Sequence, residues 1–222
     1  MDRNNTSFLK SVWEALHDPN ELTQKIGKQY AVDLEYHQKV VHQYFLTHPK
    51  IRGILLYHDM GSGKSITSAA IADSLKDKYK VIVLSNKSLH DNYRENIVKM
   101  KGLDPSEGEA YIKKHYKFIT LNAGNVRFRL ADNDEEDVFA DKLEALRTTK
   151  LANSIIVVDE AHNLFNAIVN GGKNALAIYN IFMEAKNTRF IFLSGSPIIN
   201  DPFECVPLLN ICSGKIGNFT LF

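Results

Sequence analysis

Cysteine is scarce in this 222-residue chain, which holds only Cys205 and Cys212. Two thiols seven positions apart make no disulfide framework and match no zinc ligand pattern, so both read as buried side chains. Long apolar runs are also missing. No stretch approaches the roughly 18 apolar residues that a membrane-spanning helix needs. The N-terminal MDRNNTSFLKSVWEAL lacks a basic segment followed by a long apolar one. An intracellular, soluble setting away from membranes is expected. Charge of one sign is lacking too: 27 Lys and Arg face 26 Asp and Glu, a formal net charge of +1. Any contact with nucleic acid must therefore be local rather than the work of the whole-molecule field. The chain shows neither an internal repeat nor a low-complexity tract.

What is present suits a globular α/β protein: 44% of the residues are hydrophobic, and the length allows one sizeable core with some extension. Residues Phe8, Leu9, Val12, Trp13 and Leu16 recur at helical spacing and stop at Asp18-Pro19. A second amphipathic segment is expected from about Leu34 to Leu46. From Gly53 onward the rhythm changes to short runs that are apolar at every position: GILLY at 53–57, VIVLS at 81–85, KFITL at 117–121, SIIVVD at 154–159 and RFIFLS at 189–194. Such runs suit strands covered on both faces, and their alternation with helical patterns predicts a parallel, doubly wound sheet. Residues 101–115 and 122–150, the latter with the acidic run DNDEED at 132–137, fit this rhythm less well and read as insertions at the rim of the sheet. Lysines 76, 78 and 80, and 113, 114 and 117, could add a basic surface for nucleic acid, but acidic neighbours dilute them and solvated faces are expected.

Within GILLYHDMGSGKS, Gly61, Ser62, Gly63, Lys64 and Ser65 follow a strand and open a helix of small residues. The general phosphate-loop pattern is a glycine, four arbitrary residues and then Gly-Lys-Ser/Thr, and here His58 stands in place of the first glycine. The strand-loop-helix context still lets backbone N–H groups from Gly61 to Ser65 converge on a phosphate. Lys64 would neutralise the β- and γ-phosphates, and Ser65 would offer its hydroxyl to Mg²⁺. The plainer alternative is a glycine turn with a lysine on its rim. A second motif weakens that alternative: SIIVVD ends in Asp159 and is followed by Glu160, carboxylates on the same sheet edge. Phosphoryl transfer needs one group to hold the Mg²⁺ shell, suited to Asp159, and another to orient the attacking water, suited to Glu160. Ser194 and Ser196 flank a glycine after the last strand and can bond to those carboxylates or to His162, registering loss of a γ-phosphate. Asp201-Pro202-Phe203-Glu204 has the signature of a helix start. His162 has no His or Cys at zincin-like spacing, so a coupling role is expected of it rather than a metal site. His37 and His42 fall on different sides of a helix and do not make a joint site.

The stretches HDMGSGKS, VDEAH and LSGSPIIND resemble motifs I, II and III of superfamily 2 helicases and DNA translocases, whose motif I commonly lacks the first glycine. LEYHQKVV resembles the glutamine motif of that superfamily, and VIVLSNKSLHDNYRENI resembles the Ia motif of its Swi/Snf-like branch, with Asn86 where proline is frequent. The nearest resemblance is to helicases and ATPases of large cytoplasmic DNA viruses, over roughly residues 34–210. The resemblance implies a P-loop NTPase fold: a RecA-like three-layer α/β/α sandwich with a mainly parallel sheet (residues 51–222) and an N-terminal helical extension carrying the glutamine motif (residues 1–50). It also implies ATP and Mg²⁺ as cofactors, Gln38 on the adenine edge, and a DNA or RNA backbone met by Ser85, Lys87 and Thr120. A second RecA-like lobe, in cis or from a partner, would supply transition-state arginines, and no room for it remains after GNFTLF. Transcription machinery is a further partner the resemblance suggests. A nucleotide-dependent binding subunit without strand separation, and a P-loop ATPase unrelated to nucleic acid, are the competing expectations.

Overall fold

The computed structural model describes residues 30–57, 61–120, 151–196 and 201–216. Five strands are present among them: β1 (Gly53–Tyr57), β2 (Lys80–Ser85), β3 (Tyr116–Thr120), β4 (Ser154–Val158) and β5 (Arg189–Ser194). All pair in parallel, in the order β1-β5-β4-β2-β3. The five apolar runs are therefore strands, within a residue of their expected bounds. The reason is visible in β4, where every side chain is buried. Ile155 and Val157 point into one apolar layer and Ile156 and Val158 into the other, as the period-two alternation of a strand requires.

The first layer is built with helices α1 (Tyr36–Thr47), α2 (Lys64–Leu75), α3 (Lys87–Lys101) and α4 (Pro105–His115), contributing Phe45, Ile71, Ile97 and Ile112 respectively. Fully buried Ala69, Ala70 and Ala72 let α2 lie close against the sheet. The opposite layer holds α5 (Ala161–Val169), α6 (Lys173–Glu184) and α7 (Cys205–Ser213), through Leu164, Ile178 and Ile211. Phe190 and Phe192 stack with ring centroids 5.8 Å apart and pack on Phe182 and Phe165. The result is a three-layer α/β/α sandwich. No helix among the described residues is long and apolar enough to cross a membrane.

Two arginines, Arg189 buried and Arg52 half-buried, tie the layers together. Arg189, at the start of β5, donates to the carbonyls of Phe45 (2.7 Å), His48 (3.1 Å) and Ile51 (3.0 Å), and lies 3.6 Å from the centre of the Phe45 ring. It thereby fastens the end of α1 to the sheet. Arg52 does the same for the end of α6, donating to the carbonyls of Met183 (3.4 Å) and Ala185 (3.2 Å).

Three expectations need correction. Residues 101–115 are no rim insertion: they end α3 and form α4, part of the crossover from β2 to β3. Asp104 caps α4, accepting from the Ser106 and Glu107 N–H groups at 2.8 and 2.9 Å, with Pro105 at the first helical position. Asp201 does cap a turn, accepting from Phe203 N–H at 2.8 Å, but the turn is a 3₁₀ helix (Pro202–Glu204) leading into α7. Glu204 does not reach back to cap it, because it is fully buried and accepts from Asn166 Nδ2 at 2.7 Å. Both cysteines are half-buried rather than buried. Burial pushes the Cys212 thiol up to about 11, so it is protonated at neutral pH. The helical pattern at residues 8–16 and the acidic run at 132–137 lie outside the described residues.

Candidate functional site

A parallel sheet delivers every carboxyl end to one edge, and the strand order decides which loops meet there. Here β5 lies between β1 and β4, with Tyr57 of β1 opposite Ser194 and Val158 of β4 opposite Phe192. The loop after β1 and the carboxylates after β4 therefore flank the serine that ends β5. Gly61 and Gly63 both adopt left-handed backbone (φ 81° and 78°). A Cβ on Gly61 would meet nothing within 4 Å, leaving open space over the loop, whereas one on Gly63 would sit 2.2 Å from Gln38 Nε2. Gly63 is the N-cap of α2, and Lys64 and Ser65 are its first two residues. The first-turn N–H groups of a helix lack intrahelical acceptors and are suited to an anion.

Asp159 continues from β4, its N–H donating to Leu84 O at 2.8 Å. Burial pushes its carboxyl above the usual range. The Glu160 N–H, 3.0 Å from Oδ1, pulls it back, the Glu160 charge adds to the rise, and Lys64 and His162 oppose it. A desolvated carboxylate beside a lysine-bearing phosphate loop is a fitting donor for a hard cation. Glu160 takes left-handed backbone (φ 48°), uncommon for a side chain of its size and a conformation that clusters at functional sites. Its side chain remains 39% exposed, within reach of solvent. His162 Nδ1 lies 3.2 Å from Glu160 Oε2 and 3.0 Å from Ser194 Oγ, and Ser194 Oγ accepts from Ser196 N–H at 3.1 Å. The fold thus joins Glu160, His162, Ser194 and Ser196 in one chain of contacts. No group of three or more His, Cys, Asp or Glu among the described residues could hold a metal by itself.

Gln38 sits on the other side of the loop. It is 5% exposed. Its Oε1 accepts from Glu35 N–H at 2.8 Å, and its Nε2 donates to Ser62 O (3.3 Å) and Gly63 O (3.4 Å). In this conformation the amide braces the phosphate loop. His37 joins it, with Nε2 3.3 Å from Ser62 O, a contact that helical spacing did not announce. His42 is buried elsewhere, 2.9 Å from Ser74 Oγ, so the two histidines do not share a site.

At the far end of the same edge, Ser85 and Thr120 are register partners and Lys87 opens α3. Lys87 is exposed and Thr120 half-buried. Ser85 departs from expectation: it is wholly buried, with Oγ lacking a hydrogen-bond partner, so its hydroxyl is not presented to a phosphate. The strand it ends is covered on both faces, which a β-strand's terminal serine does not reveal in sequence. His58 and Pro197 lie outside the described residues.

Comparison with known proteins agrees with this geometry. A family model described as "Type III restriction enzyme, res subunit" (ResIII) matches residues 24–199. The chain is 34% identical to "Termination factor NPH-I homolog" of African swine fever virus over 238 aligned positions, covering 96% of this chain and 32% of that protein. It therefore spans about a third of the length of this relative. Among solved structures, the SWI2/SNF2 ATPase core of Sulfolobus solfataricus in complex with dsDNA superposes with a TM-score of 0.56 at 18% identity, over 84% of this chain and 37% of that one. The Hef helicase domain of Pyrococcus furiosus gives a TM-score of 0.50 at 21% identity, over 80% of this chain and 36% of that one. These likenesses carry the fold. The phosphate loop after β1, the carboxylates after β4 and the family model together place the chain in the ResIII family, as an N-terminal RecA-like lobe of the superfamily 2 helicase type.

Proposed function

We propose that this chain is the ATP-binding motor lobe of an ATP-dependent DNA or RNA helicase or translocase, coupling nucleotide hydrolysis to movement on a nucleic-acid backbone. The observation that carries the reading is the strand order, which sets Gly61–Ser65 and Asp159-Glu160 on either side of Ser194 at one sheet edge. The loop N–H groups and Lys64 hold the β- and γ-phosphates. Ser65 and Asp159 hold Mg²⁺, which would supply charge neutralisation for the departing phosphate. Glu160, partly open to solvent, orients the attacking water. His162 and Ser194 link that carboxylate to the end of β5. Gln38 would read the adenine edge by exchanging its bonds to Glu35 N–H and the loop carbonyls for the base, and Lys87 and Thr120 meet the nucleic-acid backbone, positioning it without reading sequence. A second lobe, in cis or from a partner, supplies the arginines that complete the site.

A second reading is a nucleotide-dependent subunit of a transcription complex that does not separate strands. It is favoured by the name of the African swine fever virus relative, a termination factor homologue. Strand-displacement assays on the full-length polypeptide separate the two.

The nucleotide reading is tested by thermal unfolding of the chain and of Lys64→Ala, with and without Mg-ATP. Ligand at 100 times its dissociation constant adds about 2.7 kcal/mol. For a domain of this size that corresponds to a rise of roughly 5–10 °C. The rise should appear in the parent chain and vanish in the variant. A variant that shifts as far as the parent would refute the assignment of Lys64.

A further inference from the structure

At the opposite, amino edge of the sheet lies a hollow of about 640 Å³, formed by the turn from α2 into β2, the end of α4 with the start of β3, and the return into β4. Lysines 76, 78, 80, 113, 114 and 117 all line it, although their acidic neighbours in sequence favour solvated faces. Asp77 is the one acid among its described lining residues. Lys76 is already engaged, 3.7 Å from Asp73 and 3.8 Å from Asp77. Lys78, Lys80, Lys113, Lys114 and Lys117 are exposed. The chain as a whole carries only +1, so positive charge is concentrated here while the remainder is net acidic. Val81, Ile82, Ile119 and Leu151 close its base, each with only 1–5% of its surface exposed.

We propose that this hollow is a docking site for an acidic peptide segment of a partner protein, its carboxylates held by the lysine rim. The volume is that of a ligand pocket and takes side chains, whereas a nucleic-acid duplex would bridge the rim without entering. The described lining has no arginine to fork a phosphate. Its two tyrosines, Tyr79 and Tyr116, are 5% and 7% exposed and offer no ring face for a base to stack on. β2 separates the hollow from the nucleotide edge by about 17 Å, at about 3.3 Å per residue. A strand running along the nucleotide edge would not reach it. The ring of lysines, strongly hydrated point charges on flexible stems, suits carboxylates spaced along an extended chain.

The test uses the whole chain and a fluorescein-labelled peptide in which glutamate alternates with serine, read by anisotropy. It is compared with the variant Lys78→Glu/Lys113→Glu/Lys114→Glu/Lys117→Glu, whose exposed positions lie far from the phosphate loop and should leave the Mg-ATP thermal shift intact. The peptide should bind the parent chain, weaken as salt rises past about 0.1 M, and lose at least about tenfold in affinity in the variant. If four reversals unfold the chain, Lys113→Gln/Lys114→Gln should give a smaller loss in the same direction. Equal affinity in parent and variant, or no binding to the parent, overturns the proposal. So does a single-stranded oligonucleotide that displaces the peptide and weakens by the same factor in the variant, since the hollow would then be a nucleic-acid surface. Binding that emerges only after the acidic run at 132–137 is neutralised would assign the hollow to the chain's own segment and likewise overturn a partner.

Discussion

Burying a carboxylate costs free energy unless something repays it, and at Asp159 the raised pKa records that cost. The folded lobe holds a proton on Asp159 more tightly than the unfolded chain does. The penalty is thus absent below about pH 3.9 and fully present above the raised value. Asp159→Asn should melt at a higher temperature than the parent chain without ligand at neutral pH, yet lose the added stabilisation by Mg-ATP. A ligand-free melting point below that of the parent would show that the carboxylate is structural. The meeting of Lys64, Asp159 and Glu160 at one sheet edge is legible in sequence because the loop bearing Lys64 follows the apolar run of β1 and the two carboxylates follow that of β4. Ser85 was less legible. A serine ending a strand looks the same whether the next layer covers it or not, and only the packed structure shows its hydroxyl sealed inside.

Among the elements, α1 is held to the rest by polar contacts as much as by Phe45. His42 is 2% exposed, with Nε2 2.9 Å from Ser74 Oγ. Burial lowers its pKa to about 4, against opposing pulls from the Ala70 carbonyl and Asp73. A histidine with a depressed folded pKa contributes stability that is present above about pH 6.5 and lost as pH falls toward about 4. The loss is at most about 3 kcal/mol at 1.36 kcal/mol per pH unit. Urea midpoints across that range should fall in the parent chain and fall less in His42→Asn. Parallel profiles would remove His42 as the cause. Element recognition from sequence went furthest for the strands, since a run covered on both faces must be apolar throughout. It went less far for α4, whose Asp104-Pro105-Ser106-Glu107 start carries the same capping chemistry as Asp201-Pro202-Phe203-Glu204. One precedes a regular helix, and the other a 3₁₀ turn whose glutamate is taken by Asn166. That choice is made by tertiary contacts.

For the molecule as a whole, the decisive fact is how much of its relatives it spans: 32% of the African swine fever virus protein. If the transition-state arginines come from outside this lobe, their absence costs about 10³–10⁵ in rate. The chain alone should bind Mg-ATP and hydrolyse it very slowly, and single-turnover hydrolysis compared with the full-length polypeptide measures the gap. Rates within a few-fold of each other would mean that this lobe is catalytically self-sufficient. The lysine hollow belongs to this scale as well, because its six lysines come from two segments some 35 residues apart that only the sheet brings together. The seam between α1 and the sandwich also bears on where the lobe begins. Tyr30 donates to Ala70 O at 2.8 Å, Ala31 N–H to Met100 O at 2.8 Å, Gln38 to the phosphate loop, and Arg189 to the end of α1. A chain started at the first strand would strip the wall from its own nucleotide loop and leave a buried guanidinium without its acceptors. Among the described residues the packed body therefore extends upstream of the sheet to Tyr30, and the segment that reads in sequence as an extension is tied into the sandwich.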